Sequence, residues 1–185
     1  MALSEPRAVA RLRSERGFTL IDMLFVIGLI GLLSTMAVPG LTRARGTAQA
    51  SSAMANLRLI NSAQLSFAIS CGLGFYAPDL PTLGRPPIGS QAPFLGTDLS
   101  GAVTVNRSGY QFELLGTAQA NAPASCNGLG AGLSAPGYKV RADPLDTPMV
   151  RFFATNSSGL MYEHTASIFG AIPENGPSPV GRLLQ

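Results

Sequence analysis

Residues 18–41, FTLIDMLFVIGLIGLLSTMAVPGL, form an apolar run whose one charged side chain is Asp22. Coiled as a helix, a run of this length spans about 36 Å, more than a bilayer core of about 30 Å. Twelve of residues 18–38 are Leu, Ile, Val or Phe. At about −0.5 kcal/mol each they contribute about −6 kcal/mol to insertion, against about +3 kcal/mol for an aspartate at the helix centre. Asp22 sits near one end, where its cost is smaller, so insertion wins. Residues 1–17 are polar and carry Arg7, Arg11, Arg13 and Arg16 against Glu5 and Glu15. The positive-inside rule keeps that leader cytoplasmic and sends everything after residue 41 outside.

Composition narrows the function. Charged residues make up 12% of the 185 and hydrophobic ones 46%, which excludes a disordered tail. The length suits one domain with an appendage. Net charge is +3, but without residues 1–17 there are 9 basic and 8 acidic residues. Most of the excess therefore lies in the leader, and no nucleic-acid footprint is drawn on the folded part. One histidine and two cysteines leave little material for a metal site or a catalytic cluster. We expect no enzyme, no cofactor, no metal and no small-molecule substrate.

Three readings fit the N-terminus. A secretory signal peptide would be cut near Thr35-Met36-Ala37, giving a start at Val38, although the run is long and charged for one. A plain single-pass anchor satisfies the hydropathy equally. The third rests on Arg16-Gly17-Phe18-Thr19-Leu20-Ile21-Asp22 leading into an apolar helix. This stretch closely resembles the leader of type IV prepilins and the related pseudopilins. The resemblance is most specific over residues 14–41. It extends more loosely to Ser108–Phe112 and Arg151–Thr155, which look like strand segments of some bacterial pilins. It implies that a prepilin peptidase cuts between Gly17 and Phe18 and N-methylates Phe18. It also matches Gly31 and Pro39 to positions where family members often carry helix-weakening residues, so that the segment between them loosens as subunits leave the bilayer. The family usually carries glutamate five residues after the cut. Here that residue is Asp22, one methylene shorter.

The chemistry of the cut explains the acid. Cleavage removes the arginines and creates a charged amine on Phe18. Asp22 lies four residues on, about 6 Å along the axis. A lone carboxylate in lipid is costly and seeks a positive partner. The candidates are its own Phe18 amine and that of an adjacent subunit, and pairing between subunits would set the axial register of one helix against the next. N-methylation keeps the charge. The bland alternative for Asp22 is a snorkelling interfacial residue with no partner. For Pro39 it is an ordinary membrane-helix kink.

Residues 42–71 continue the helix. Ala53, Leu57, Ile60, Ala63, Phe67 and Cys71 recur every three or four residues, a stripe expected to pack on a sheet rather than to bind a partner. Ser51, Asn61, Ser62 and Gln64 are expected largely off the stripe, and Gly72-Leu73-Gly74 to stop the helix. Residues 72–185 form the head. Residues 72–107, rich in Gly and Pro, read as a surface loop with a short helical turn. Alternation marks strands around Tyr110–Leu114, Tyr138–Ala142, Val150–Ala154 and Leu160–His164, with a turn at Asn156-Ser157-Ser158-Gly159. The tail containing Pro173, Pro177 and Pro179 reads as loosely ordered. Outside the cytoplasm Cys71 and Cys126 are expected to form a disulfide tying the helix end to the loop between the first two of those strands, the alternative being two buried thiols.

Weaker signals are set aside. Gly128-Leu129-Gly130-Ala131-Gly132 lacks the flanking strand and helix of a phosphate loop. His164 shows no triad. Asp143 and Asp146 are too few for a confident calcium site, and a turn near Pro144 is the default. The glycosylation patterns at Asn106 and Asn156 mean little in a bacterial context.

The expected fold is α+β, the pilin fold. A long N-terminal helix, first transmembrane and then amphipathic, packs on an antiparallel sheet of about four strands. The resemblance implies a type IV pilus subunit that is an inner-membrane precursor, then part of an extracellular self-assembled fibre. Its partners would be the peptidase, the inner-membrane assembly machinery and, before assembly, lipid. Adhesion, surface motility and DNA uptake are implied alike. The alternatives are a type II secretion pseudopilin and an exported or anchored binding domain.

Overall fold

A computed structural model describes residues 18–146 and 151–184. The leader with Gly17, and Val150, lie outside the described residues. The chain divides into two compact units, Met1–Arg43 and Ala44–Gln185.

One helix, α1 (Leu20–Ser70), contributes to both units. In the first unit residues 18–43 are all exposed. This stretch gives an 18-residue window of mean hydropathy 2.2, in the one helix among the described residues long and apolar enough to cross a bilayer. Its hydroxyls find partners on the helix itself. Ser34 donates to the Ile30 carbonyl at 2.8 Å, Thr35 to Leu32 at 2.7 Å and Thr42 to Val38 at 3.1 Å. These bonds hide polar groups that lipid could not satisfy.

In the second unit the expected stripe is the inner face of α1. Ala53, Leu57, Ile60 and Phe67 are fully buried, and Ala63 and Cys71 nearly so. Two polar residues expected off the stripe face the sheet instead, Gln64 buried and Asn61 half-buried. Gln64 is buried and holds the Ala77 peptide from both sides, donating to its carbonyl at 2.8 Å and accepting its N–H at 2.9 Å. Asn61 donates to Thr155 Oγ1 at 2.9 Å and accepts the Tyr138 hydroxyl at 3.1 Å. Gln64 and Asn61 are tolerated at the core because both of them find partners. The helix stops as expected. The Gly72 N–H reaches back to the Phe67 carbonyl at 2.7 Å, and Gly74 sits at φ +92°, a left-handed conformation natural to glycine.

The sheet has six strands, not four. They are β1 (Thr104–Arg107), β2 (Tyr110–Leu115), β3 (Lys139–Pro144), β4 (Phe152–Asn156), β5 (Met161–His164) and β6 (Arg182–Leu184), antiparallel neighbours in chain order. Ser108 and Gly109, both at positive φ, make the two-residue turn that returns β1 onto β2. Tyr110, Phe112 and Leu114 of β2, Val140 and Ala142 of β3, Phe153 of β4 and Met161 of β5 join the α1 stripe in the main core. In β4 the residue on that side is Phe153, not Phe152 or Ala154. Ala154 is buried on the opposite face with Tyr162, Ile168 and Ile172.

Two segments expected to be peripheral are interior. Residues 72–107 carry α2 (Leu80–Leu83) and α3 (Thr97–Ser100), and Leu80, Leu83, Leu95 and Leu99 are buried in the main core. Asp79 caps α2 by accepting the Thr82 N–H at 2.9 Å. The tail is packed too. Ile168 and Ile172 cover the far face of the sheet, and Asn156 donates to the carbonyls of Pro173 at 2.9 Å and Gly176 at 2.7 Å.

Candidate assembly site

The first turn of α1 is built from Thr19 and Asp22. The Thr19 N–H donates to Asp22 Oδ2 at 3.1 Å, and the Thr19 hydroxyl donates to the same oxygen at 2.5 Å. The Asp22 N–H points back to Thr19 Oγ1 at 3.3 Å. This is a reciprocal capping box, in which the N-cap residue and the third helical residue satisfy each other's amide. A negative side chain in the first turn also opposes the positive end of the helix dipole. Among the described residues, Asp22 is hydrogen-bonded by Thr19 of its own first turn. Its carboxylate is anchored at the helix N-terminus, three residues beyond Thr19. Thr19 was missed as a site residue, although threonine three residues before an acid, ahead of an apolar run, signals a capped start.

The surface carrying this acid is greasy and bare. Phe18 is 75% exposed and Leu20 83%, and both flank the capped turn. Gly17, the other side of the expected cut, lies outside the described residues. A Cβ placed on Gly28, Gly31 or Gly40 would meet nothing within 4 Å. No contact among the described residues demands glycine at these positions. Their smallness is available to a neighbour, since small residues let membrane helices approach closely. The helix runs without interruption through Gly31 and Pro39. Pro39 has no N–H, so the Thr35 carbonyl four residues back loses its helical donor.

Cys71 and Cys126 are joined by a disulfide. It ties the end of α1 to the loop between β2 and β3, and the Cys126 N–H also donates to the Cys71 carbonyl at 3.2 Å. Of the weaker signals, Asp143 is taken up by Arg141 at 2.6 Å and by the Ser167 hydroxyl at 2.8 Å. Among the described residues no three His, Cys, Asp or Glu side chains gather as metal ligands.

A stretch of 53 residues is 38% identical to the type IV major pilin protein PilA of Myxococcus xanthus (strain DK1622). It covers 29% of this chain and 24% of the relative, so the chain matches about a quarter of that protein's length. The similarity agrees with the resemblance carried by Arg16–Asp22, and a long apolar N-terminal helix with an antiparallel sheet is consistent with the pilin fold. No protein-family model and no solved structure matches the chain.

Proposed function

We propose that this chain is a structural subunit of a type IV pilus. A prepilin peptidase cuts it between Gly17 and Phe18 and N-methylates Phe18. It waits in the bacterial inner membrane with its head outside the cytoplasm. The assembly machinery there then draws it into a helical fibre through its apolar N-terminal helix. The observation that carries this reading is the exposed apolar first half of α1, which holds one fixed carboxylate four residues from the expected new amine.

The physical steps follow from that arrangement. Outside lipid, the exposed face of residues 18–43 must be covered again, and copies of the same helix offer a matching apolar surface. Asp22 is then withdrawn from water and needs a cation. The Phe18 amine of an adjacent subunit supplies one, and the capping box holds the carboxylate still while it is met. Gly28, Gly31 and Gly40 allow close helix contact. With Pro39, Gly31 supplies weak points at which the helix can loosen during extraction. A disulfide in the head suits an oxidising compartment outside the cytoplasm.

The test is incorporation. Asp22→Ala should insert in the membrane at the normal level yet be absent from fibres sheared off the cell surface. Normal incorporation of that variant would reject the assembly role of the acid.

A further inference from the structure

A cleft of about 390 Å³ opens on the head and is lined by Arg151, Glu163, His164, Thr165 and Arg182. None of these residues belongs to the helix on which the proposed function rests. The volume lies within the range of small-molecule sites. Its charges are ordered by depth. Glu163 is the inner group, with a side chain only 13% exposed, whereas Arg151 and Arg182 are 44% and 76% exposed. Both guanidinium groups bond to this one carboxylate, Arg151 through Nε to Oε1 and Arg182 at 2.7 Å to Oε2. Two cations share one anion, so the cleft keeps a positive charge, and the cations stand at its mouth.

The donors are held in place and partly unspent. Arg151 also lies over the Phe153 ring, 5.3 Å from its centre, a cation–π contact that adds to its bond with Glu163. An arginine carries five N–H donors in a planar fork, and only Nε of Arg151 and one terminal nitrogen of Arg182 are engaged with Glu163. His164 Nδ1 accepts the Ala166 N–H at 3.1 Å. The neutral ring must then carry its proton on Nε2, which adds a donor. Thr165 adds a hydroxyl. Hydrogen bonding to Arg151, and then to Arg182, holds the Glu163 carboxyl below the usual carboxylate range, so the acid stays ionised and keeps both arginines ordered.

We infer that this cleft binds a compact oxyanion of the phosphate class, gripped by the free guanidinium N–H groups of Arg151 and Arg182 with His164 and Thr165 as supporting donors. Phosphate fits the forked geometry of arginine and accepts several charge-assisted hydrogen bonds at once. A cleft of about 390 Å³ has room for inorganic phosphate or a small phosphate monoester.

The experiment is calorimetric titration of the full chain in a maltoside detergent, which brings no phosphate of its own, at constant ionic strength. Inorganic phosphate and glycerol phosphate are the two probes. Saturable binding of either is expected below about 10 mM. Tighter binding of glycerol phosphate would assign the site to a phosphomonoester, and equal or weaker binding to the free ion. Arg182→Gln removes an exposed side chain and should leave thermal unfolding unchanged while weakening binding about tenfold. Arg151→Gln combined with Arg182→Gln should abolish it. Absence of saturable binding to the unmodified chain, or binding that survives both substitutions, would overturn the inference. The fold control on Arg182→Gln separates loss of the site from loss of the head, and neither result bears on assembly through Asp22.

Discussion

The observed cap at Asp22 and its proposed role in assembly can be pulled apart one atom at a time. Its carboxylate caps α1 by accepting from Thr19, and in the proposed fibre it also neutralises a neighbour's terminal amine. Asp22→Asn keeps an oxygen that can accept the Thr19 N–H but removes the charge. It should preserve membrane insertion and fail to enter fibres, read by immunoblot of the membrane and sheared fractions. Asp22→Glu keeps both functions on a longer arm and should assemble at least as well as the native chain. Thr19→Ala removes only the hydroxyl half of the box, a loss of about 1 kcal/mol for a typical cap. Helices already held by a bilayer should tolerate that loss, so fibre yield should fall less than with Asp22→Asn. If Asp22→Asn assembles normally, charge is not what the position supplies.

At the scale of elements, the face that α1 turns to the sheet sets head stability. Phe67 is fully buried and meets Phe94 edge to face, with ring centres 5.4 Å apart. Phe67→Ala should lower the unfolding free energy by about 3–5 kcal/mol, measured by denaturant titration of the full chain. The Cys71–Cys126 bridge closes a span of 55 positions. Its removal by Cys71→Ser with Cys126→Ser should cost about 2–4 kcal/mol, and reduction of the native chain should produce a similar fall. The elements also show what sequence could convey. The α1 stripe and strands β2 and β3 were legible because their apolar residues repeat at the period of the element, whereas β4 and β5 bury residues on both faces, so their place was legible but not which side of β4 meets α1. Strands β1 and β6 were not. Thr104-Val105-Asn106-Arg107 holds one apolar residue, and Arg182-Leu183-Leu184 is three residues long, so neither offers a period to read. The Ser108-Gly109 dipeptide did carry a hairpin signal. In α2, Pro81 suggested a loop, although Asp79 before Leu80 and Pro81 is how a short helix begins. The inward turn of Gln64 and Asn61 depended on partners, Ala77, Thr155 and Tyr138, that only the folded chain brings near.

The whole molecule combines an apolar helical segment exposed along residues 18–43 with a head that has its own core and a disulfide. The head should resist acid better than alkali on one count. Burial, with a smaller contribution from Tyr76, pushes the Tyr138 hydroxyl above its ordinary value of 10.0. The unfolded chain ionises this group as pH passes about 10 while the folded chain holds the proton. The contribution of Tyr138 is therefore complete below that pH and is lost as pH rises beyond it, at up to about 1.4 kcal/mol per pH unit. Tyr138→Phe should flatten that alkaline decline in a series of unfolding curves.

In the segment through residue 43, Phe18 is exposed, Asp22 is fixed by the first turn, and Gly28, Gly31 and Gly40 face open space. All three acquire a purpose if a chain end is made beside them and copies of the helix stack. Mass spectrometry of the N-terminal peptide, taken from native protein in sheared surface fibres, tests this most directly. The account predicts a peptide that starts at Phe18 and carries an N-methyl group. A start at Met1 or at Val38 would contradict it.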